Sequence, residues 1–123
     1  MHLSELCKLA HRTALEKGFW EQFENGTLKP RNISELLMLI VSELGEACEA
    51  LRTGKLQGGH VLDRKGKKIR DAIWLKDTFS DEIADVFIRL GDMCQALGID
   101  IEWQIKKKMS YNKEREFRHG KLF

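Results

Sequence analysis

The chain is poor in the features that mark several protein classes. It has a single proline, Pro30, and few β-branched runs in 123 residues, a pattern that points to helices rather than sheets. Its three cysteines, Cys7, Cys48 and Cys94, lie far apart with no Cys-x-x-Cys pair, and each falls at or beside an apolar helical position. They read as buried thiols, not zinc ligands. The odd count, with no secretory pattern at the N-terminus, leads to the expectation of a reducing cytoplasm. The longest aliphatic run, residues 36–41, is far short of the roughly 20 residues a membrane span needs, so no membrane anchor is expected. Charge of one sign is not in excess either: the formal net charge is +2, with 33% charged and 42% apolar residues. That balance argues against a nucleic-acid partner, because phosphate backbones are bound by concentrated positive charge. His2, His11, His60 and His119 are scattered, without a His-Glu-x-x-His pattern and without a His three residues after an acidic pair. This excludes zincin-type and di-iron carboxylate centres.

What is present is helical periodicity and two acidic pairs. Leu3, Leu6, Cys7, Ala10 and Ala14 predict a first helix ending at Lys17-Gly18. The stretch Phe19 to Gly26 has three aromatics and an Asn-Gly turn signal, and reads as a loop or short turn. Its aromatics are expected to close the end of the core, with Trp20 as the alternative candidate for stacking on a flat ligand. Asn32-Ile33-Ser34-Glu35 is a capping-box-like start to a second helix, whose stripe runs Ile33, Leu36, Leu37, Ile40, Leu44, Ala47, Leu51. At 100° per residue, Glu43 and Glu46 fall on the flank of that stripe and Glu49 on the opposite side. Residues 53–77 are a polar, turn-rich connection, expected to be an exposed loop with a short hairpin or helical turn, or alternatively a lid, with Ile69 to Leu75 tucking back onto the core. Phe79, Ile83, Val86, Phe87, Leu90, Cys94 and Leu97 then define a third helix carrying Glu82 and Asp85. Asp100 is placed to cap a fourth, with Ile101, Ile105 and Met109 inward and Lys108, Asn112 and Arg115 along a polar face. Residues 116–123 are a basic tail.

The expected architecture is therefore all-α, a single four-helix-type domain over residues 1–123. Ala84, Ile88 and Met93 add apolar surface outside the third helix's stripe, so completion by homo-oligomerisation is expected. A Glu-x-x-Glu pair alone is usually a solvent face. Two pairs on separate helices, each beside a core stripe and without a Lys four residues on from Glu46 or Glu82, gather like charge where it is costly. A hard divalent cation compensates this best, because Mg²⁺ takes oxygen ligands and sits between carboxylates and substrate phosphates. Oxygen-only ligation favours Mg²⁺, with Mn²⁺ as a substitute, over zinc or iron. The structural alternative is neutralisation by Arg89, four residues after Asp85.

Arg31-Asn32, Ser42-Glu43-Leu44-Gly45-Glu46-Ala47, Asp81-Glu82-Ile83-Ala84-Asp85-Val86, the run Lys108 to Arg115, and His119-Gly120-Lys121 together resemble the MazG-like all-α nucleoside triphosphate pyrophosphatases. The resemblance covers nearly the whole chain. It implies a Mg²⁺-dependent homodimer or homotetramer that cleaves a nucleoside triphosphate between its α and β phosphates. By matching position, Glu43, Glu46, Glu82 and Asp85 would be the metal ligands and the catalytic acids, and Lys108 and Asn112 would contact phosphates or metal-linked water. Arg115 and Lys121 would be further phosphate contacts. Two departures stand out: Arg89 occupies a place that can be aromatic in relatives binding pyrimidine nucleotides, and Ser42 stands where many relatives have a further Glu. The competing reading is a non-catalytic helical interaction or nucleotide-binding module whose acids are surface charge.

Overall fold

The computed structural model describes residues 1–56, 58, 61–70 and 73–115. The protein is all-α, with helices α1 (Leu3–Glu16), α2 (Ile33–Arg52), α3 (Phe79–Ala96) and α4 (Ile101–Glu114), and a small antiparallel hairpin of β1 (Val61–Leu62) and β2 (Lys68–Arg70). Among the described residues, no helix is long and apolar enough to cross a membrane.

The helix ends follow from local chemistry. Asn32 accepts from the Glu35 amide at 3.3 Å and opens α2, Thr78 accepts from the Asp81 amide and opens α3, and Asp100 accepts from the Trp103 amide and opens α4. Gly18 closes α1 at φ +79°, where the Phe19 amide returns to the Ala14 carbonyl at 2.9 Å. Between α1 and α2 the aromatic stretch makes an Asn25-Gly26 turn with an isolated bridge from Gln22 to Leu28. In the long connection the hairpin forms as expected, its turn held by the Asp63 carboxylate accepting from the Lys65 and Lys67 amides at 2.9 Å each.

The helix α3 is central. It runs beside α1, where Gly91 lets the backbones approach: a Cβ there would lie 3.5 Å from the Cα of Cys7. It also packs antiparallel to α2, with the Phe79 amide on the Lys55 carbonyl at one end and Leu36 facing the Met93 end at the other. The core gathers Ala14, Trp20 and Leu36, flanked by Leu15, Leu28, Met93 and Ala96.

Several expectations about burial are corrected. Cys7 and Cys94 are buried, but Cys48 is exposed, because it falls beside the α2 stripe and faces away from α3. Only part of the α2 stripe is covered: Leu36, Ile40, Ala47 and Ala50 are buried, while Ile33, Leu37, Leu44 and Leu51 are exposed. Ile69, Ile73, Trp74 and Leu75 remain exposed and do not tuck back. Instead Trp74 is tied to α3 by its indole N–H, which donates to Asp81 at 3.1 Å. Helix α4 buries no residue in the protomer and packs against α1, leaving Met109 at 66% exposure where an inward position was expected.

Candidate metal centre

The two acidic pairs come together at one end of the α2–α3 contact. Carboxylate oxygens of Glu43, Glu82 and Asp85 lie within 4.8 Å of one another, and Glu46 is close enough for its carboxyl to raise the pKa of Glu82. Three carboxylates from two helices thus share one place, with the exposed Glu46 beside them. Glu82 is the deepest, with 5% of its surface exposed, and the other three acids act on it by charge. Burial, then the Glu46 carboxyl and the charges of Asp85 and Glu43, push its pKa up to about 7. Burial also raises Asp85, with Glu43 and Asp81 adding to the shift and Arg89 opposing it. The α3 N-terminus, one turn away, offers these carboxylates the positive end of the helix dipole.

Among the described residues the cation paired to this cluster is Arg89, which neutralises part of its charge as the structural alternative expected. Its Nε donates to Glu43 Oε1 across the interface at 2.8 Å, where the sequence places it one turn beyond Asp85 on the same helix. A guanidinium on one member leaves Glu82 without a counter-charge, and a buried uncompensated carboxylate cluster is costly. The donor set fits a hard divalent cation: it is all oxygen, it is charged, and its buried member has no basic partner among the described residues.

A second trio, Asp77, Asp81 and Glu82, also lies within 4.8 Å and was not anticipated. Asp81 is already committed there, accepting from the Trp74 indole and from the Asp77 amide at 2.9 Å, and Asp77 adopts a positive φ of 62°. Only the density of acids in residues 77–82 hints at this grouping in the sequence.

The remaining site candidates separate. Trp20 takes the core place expected of the aromatics and not the ligand-stacking alternative: it is 6% exposed, its Nε1–H donates to both oxygens of Asp92 at 2.9 and 3.1 Å, and Arg31 covers it at 5.2 Å. It has no free face for a flat ligand. Of the other two aromatics, Phe19 is 63% exposed and lines the cavities beside the cluster, and Phe23 is also exposed. His11 Nδ1 meets the same Asp92 at 2.8 Å, completing a His11–Asp92–Trp20 network that sequence reasoning missed. Its one signal is Asp92 itself, an acid seven residues beyond Asp85 within an otherwise apolar stretch. Lys108, Asn112 and Arg115 are all exposed on α4, and the structure does not bring them to the carboxylates. Lys108 and Arg115 instead lie over the Tyr111 ring at 4.9 and 5.9 Å. Lys121 lies outside the described residues.

Two cavities, of about 230 and 240 Å³, open beside the cluster. Phe19, Arg89 and Asp92 line both, Glu43 and Asp85 line the second, and Arg31, Leu36 and Ile40 line the first. The chain matches no protein family, no curated protein and no solved structure. What the site does must therefore be argued from its own side chains.

Proposed function

We propose that this protein is a Mg²⁺-dependent nucleoside triphosphate pyrophosphohydrolase of the MazG-like kind, releasing a nucleoside monophosphate and pyrophosphate. The observation that carries the reading is the convergence of Glu43, Glu46, Glu82 and Asp85 from two helices on one partly buried place. Glu43, Glu82 and Asp85 would hold Mg²⁺ or Mn²⁺, with Glu46 beside them. A bound divalent ion supplies electrostatic stabilisation of phosphate oxygens and acidifies water. The protein's own part is to fix the carboxylates before substrate arrives and to orient a water with one of them, which takes the water's proton as its oxygen attacks phosphorus. No protein nucleophile is needed. The cavities beside the cluster are the space for the nucleotide.

The same reading includes a homodimer or homotetramer. Leu37, Met38, Val41 and Leu44 on α2, Phe87 and Ile88 on α3, and Trp103 and Met109 on α4 are all exposed large apolar side chains. Faces of this kind are covered in soluble helical proteins by further helices. A neighbouring copy would also supply the phosphate contacts that α4 cannot make within its own chain, namely Lys108, Asn112 and Arg115, with Lys121 from the basic tail. A cytoplasmic setting accords with the free thiols of Cys7, Cys48 and Cys94.

The test is pyrophosphate release from a panel of ribo- and deoxyribonucleoside triphosphates with Mg²⁺ or EDTA. Turnover is expected with Mg²⁺ and not with EDTA, and Glu82→Gln is expected to lose at least about 10²-fold, the scale of losing one preorganised electrostatic group. Absence of metal-dependent turnover across the panel would instead favour a non-catalytic helical module.

A further inference from the structure

Arg89 holds a position the catalytic reading does not explain. It pairs with Glu43, which belongs to the acid trio, and it lines both cavities, so it stands between the carboxylates and the space for a ligand. Its side chain is 42% exposed against 13% for Glu43. The guanidinium is therefore the more solvent-accessible partner and the carboxylate the more enclosed one. Nε spends one of five N–H donors on Glu43, and among the described residues the terminal fork has no hydrogen-bond partner.

We infer that Arg89 is an exchangeable counter-cation: its pair with Glu43 competes with a divalent ion for that carboxylate, and the guanidinium, once displaced, turns its fork to the substrate's phosphates. The inference rests on the metal-dependent reading above. Its physical basis is charge. The guanidinium and a divalent ion both seek Glu43 and repel one another, so the ion alone binds against Arg89. A polyphosphate removes the conflict, because both cations attract it and a guanidinium fork matches phosphate oxygens bidentately. Arg89 thus couples the two binding events, weakening metal binding alone and strengthening metal binding in the presence of a triphosphate. An aromatic side chain at this position would do neither.

The experiment uses the full chain, Mg²⁺ or Mn²⁺, and an α,β-methylene nucleoside triphosphate that is not cleaved. In wild-type protein, the Arg89 side-chain Nε–H resonance is expected to move from its ion-paired position as Mg²⁺ is added, with the midpoint of the Glu82 carboxyl carbon shift. Arg89→Gln is expected to bind Mn²⁺ about fivefold more tightly without nucleotide, the scale of a partly exposed ion pair. The same variant is expected to lose about tenfold in affinity for the analogue at saturating Mn²⁺, and Arg89→Lys to fall between the two. Circular dichroism establishes that each variant is folded. An Nε–H resonance unmoved while Glu82 shifts, or weaker Mn²⁺ binding in Arg89→Gln, overturns the exchange and leaves the metal site standing. A Glu82 carboxyl that does not respond to Mg²⁺ overturns both.

Discussion

The two ends of the α2–α3 contact are built from opposite materials. At one end Leu36 meets Met93 and Ala96 beside the buried Trp20. At the other, Glu46 and Glu43 meet Glu82 and Asp85. The same antiparallel helix pair is therefore held together by apolar burial at one end and pushed apart by like charge at the other. Folding needs the first end, and it has to tolerate the second. Like charge gathered in a contact that is otherwise apolar, with Ala47, Ala50 and Val86 buried around it, costs stability.

The comparison breaks most sharply by substitution at each end. Leu36→Ala should destabilise the protein by ~2–4 kcal/mol, the range for emptying a buried leucine site, while Glu82→Gln should leave the metal-free fold at least as stable as wild type. Denaturant midpoints in EDTA would check this. If Glu82→Gln destabilised the protein as much as Leu36→Ala, the acid end would be holding the fold together and the contrast would fail.

Titration sharpens it further. Because Glu82 is raised from 4.5 to about 7 in the folded state, the folded protein binds the proton more tightly than the unfolded chain. Its contribution to stability is fully present below pH 4.5 and is lost as pH rises through about 7. Asp85 shifts in the same direction. The stability advantage of Glu82→Gln over wild type, measured without metal, is thus expected to be larger at pH 8 than at pH 5. An advantage independent of pH would contradict the buried, like-charged environment.

The smallest effect lies at the start of α3. Thr78 is buried, accepts from the Asp81 amide and donates to the Leu75 carbonyl, so Thr78→Ala should cost about 1 kcal/mol as a lost helix cap. A loss of that size, read from the same denaturant curves, would show that the acid end relies on capping where the other end relies on packing. No loss would mean that Asp77 or Ser80 takes over as cap.

Much of this was legible in the residues. Helix starts at Asn32 and Asp100, the stop at Gly18, and the hairpin option for the long connection follow from short-range chemistry, which a sequence carries directly. The convergence of Glu43, Glu46, Glu82 and Asp85 was legible for a related reason: both pairs flank the stripe that faces the partner helix. Partners across helices were not. Arg89 was expected to neutralise part of the acids' charge from its place one turn beyond Asp85, and it does act on Asp85, but its direct pair with Glu43 across the helices is set by packing, which spacing does not show. Trp20 was offered two fates, and the deciding group is Asp92, 72 residues away. The exposure of Met109, Leu37 and Leu44 escaped periodicity as well, since an apolar stripe records that a face needs cover without recording whose chain provides it.

The most direct measurement is anomalous diffraction from crystals grown with Mn²⁺. The account predicts a peak bounded by the carboxylates of Glu43, Glu82 and Asp85, with the Arg89 guanidinium no longer on Glu43, and loss of that peak in Glu82→Gln. Crystals that take up no ion there at saturating Mn²⁺, with Arg89 still seated on Glu43, would contradict it.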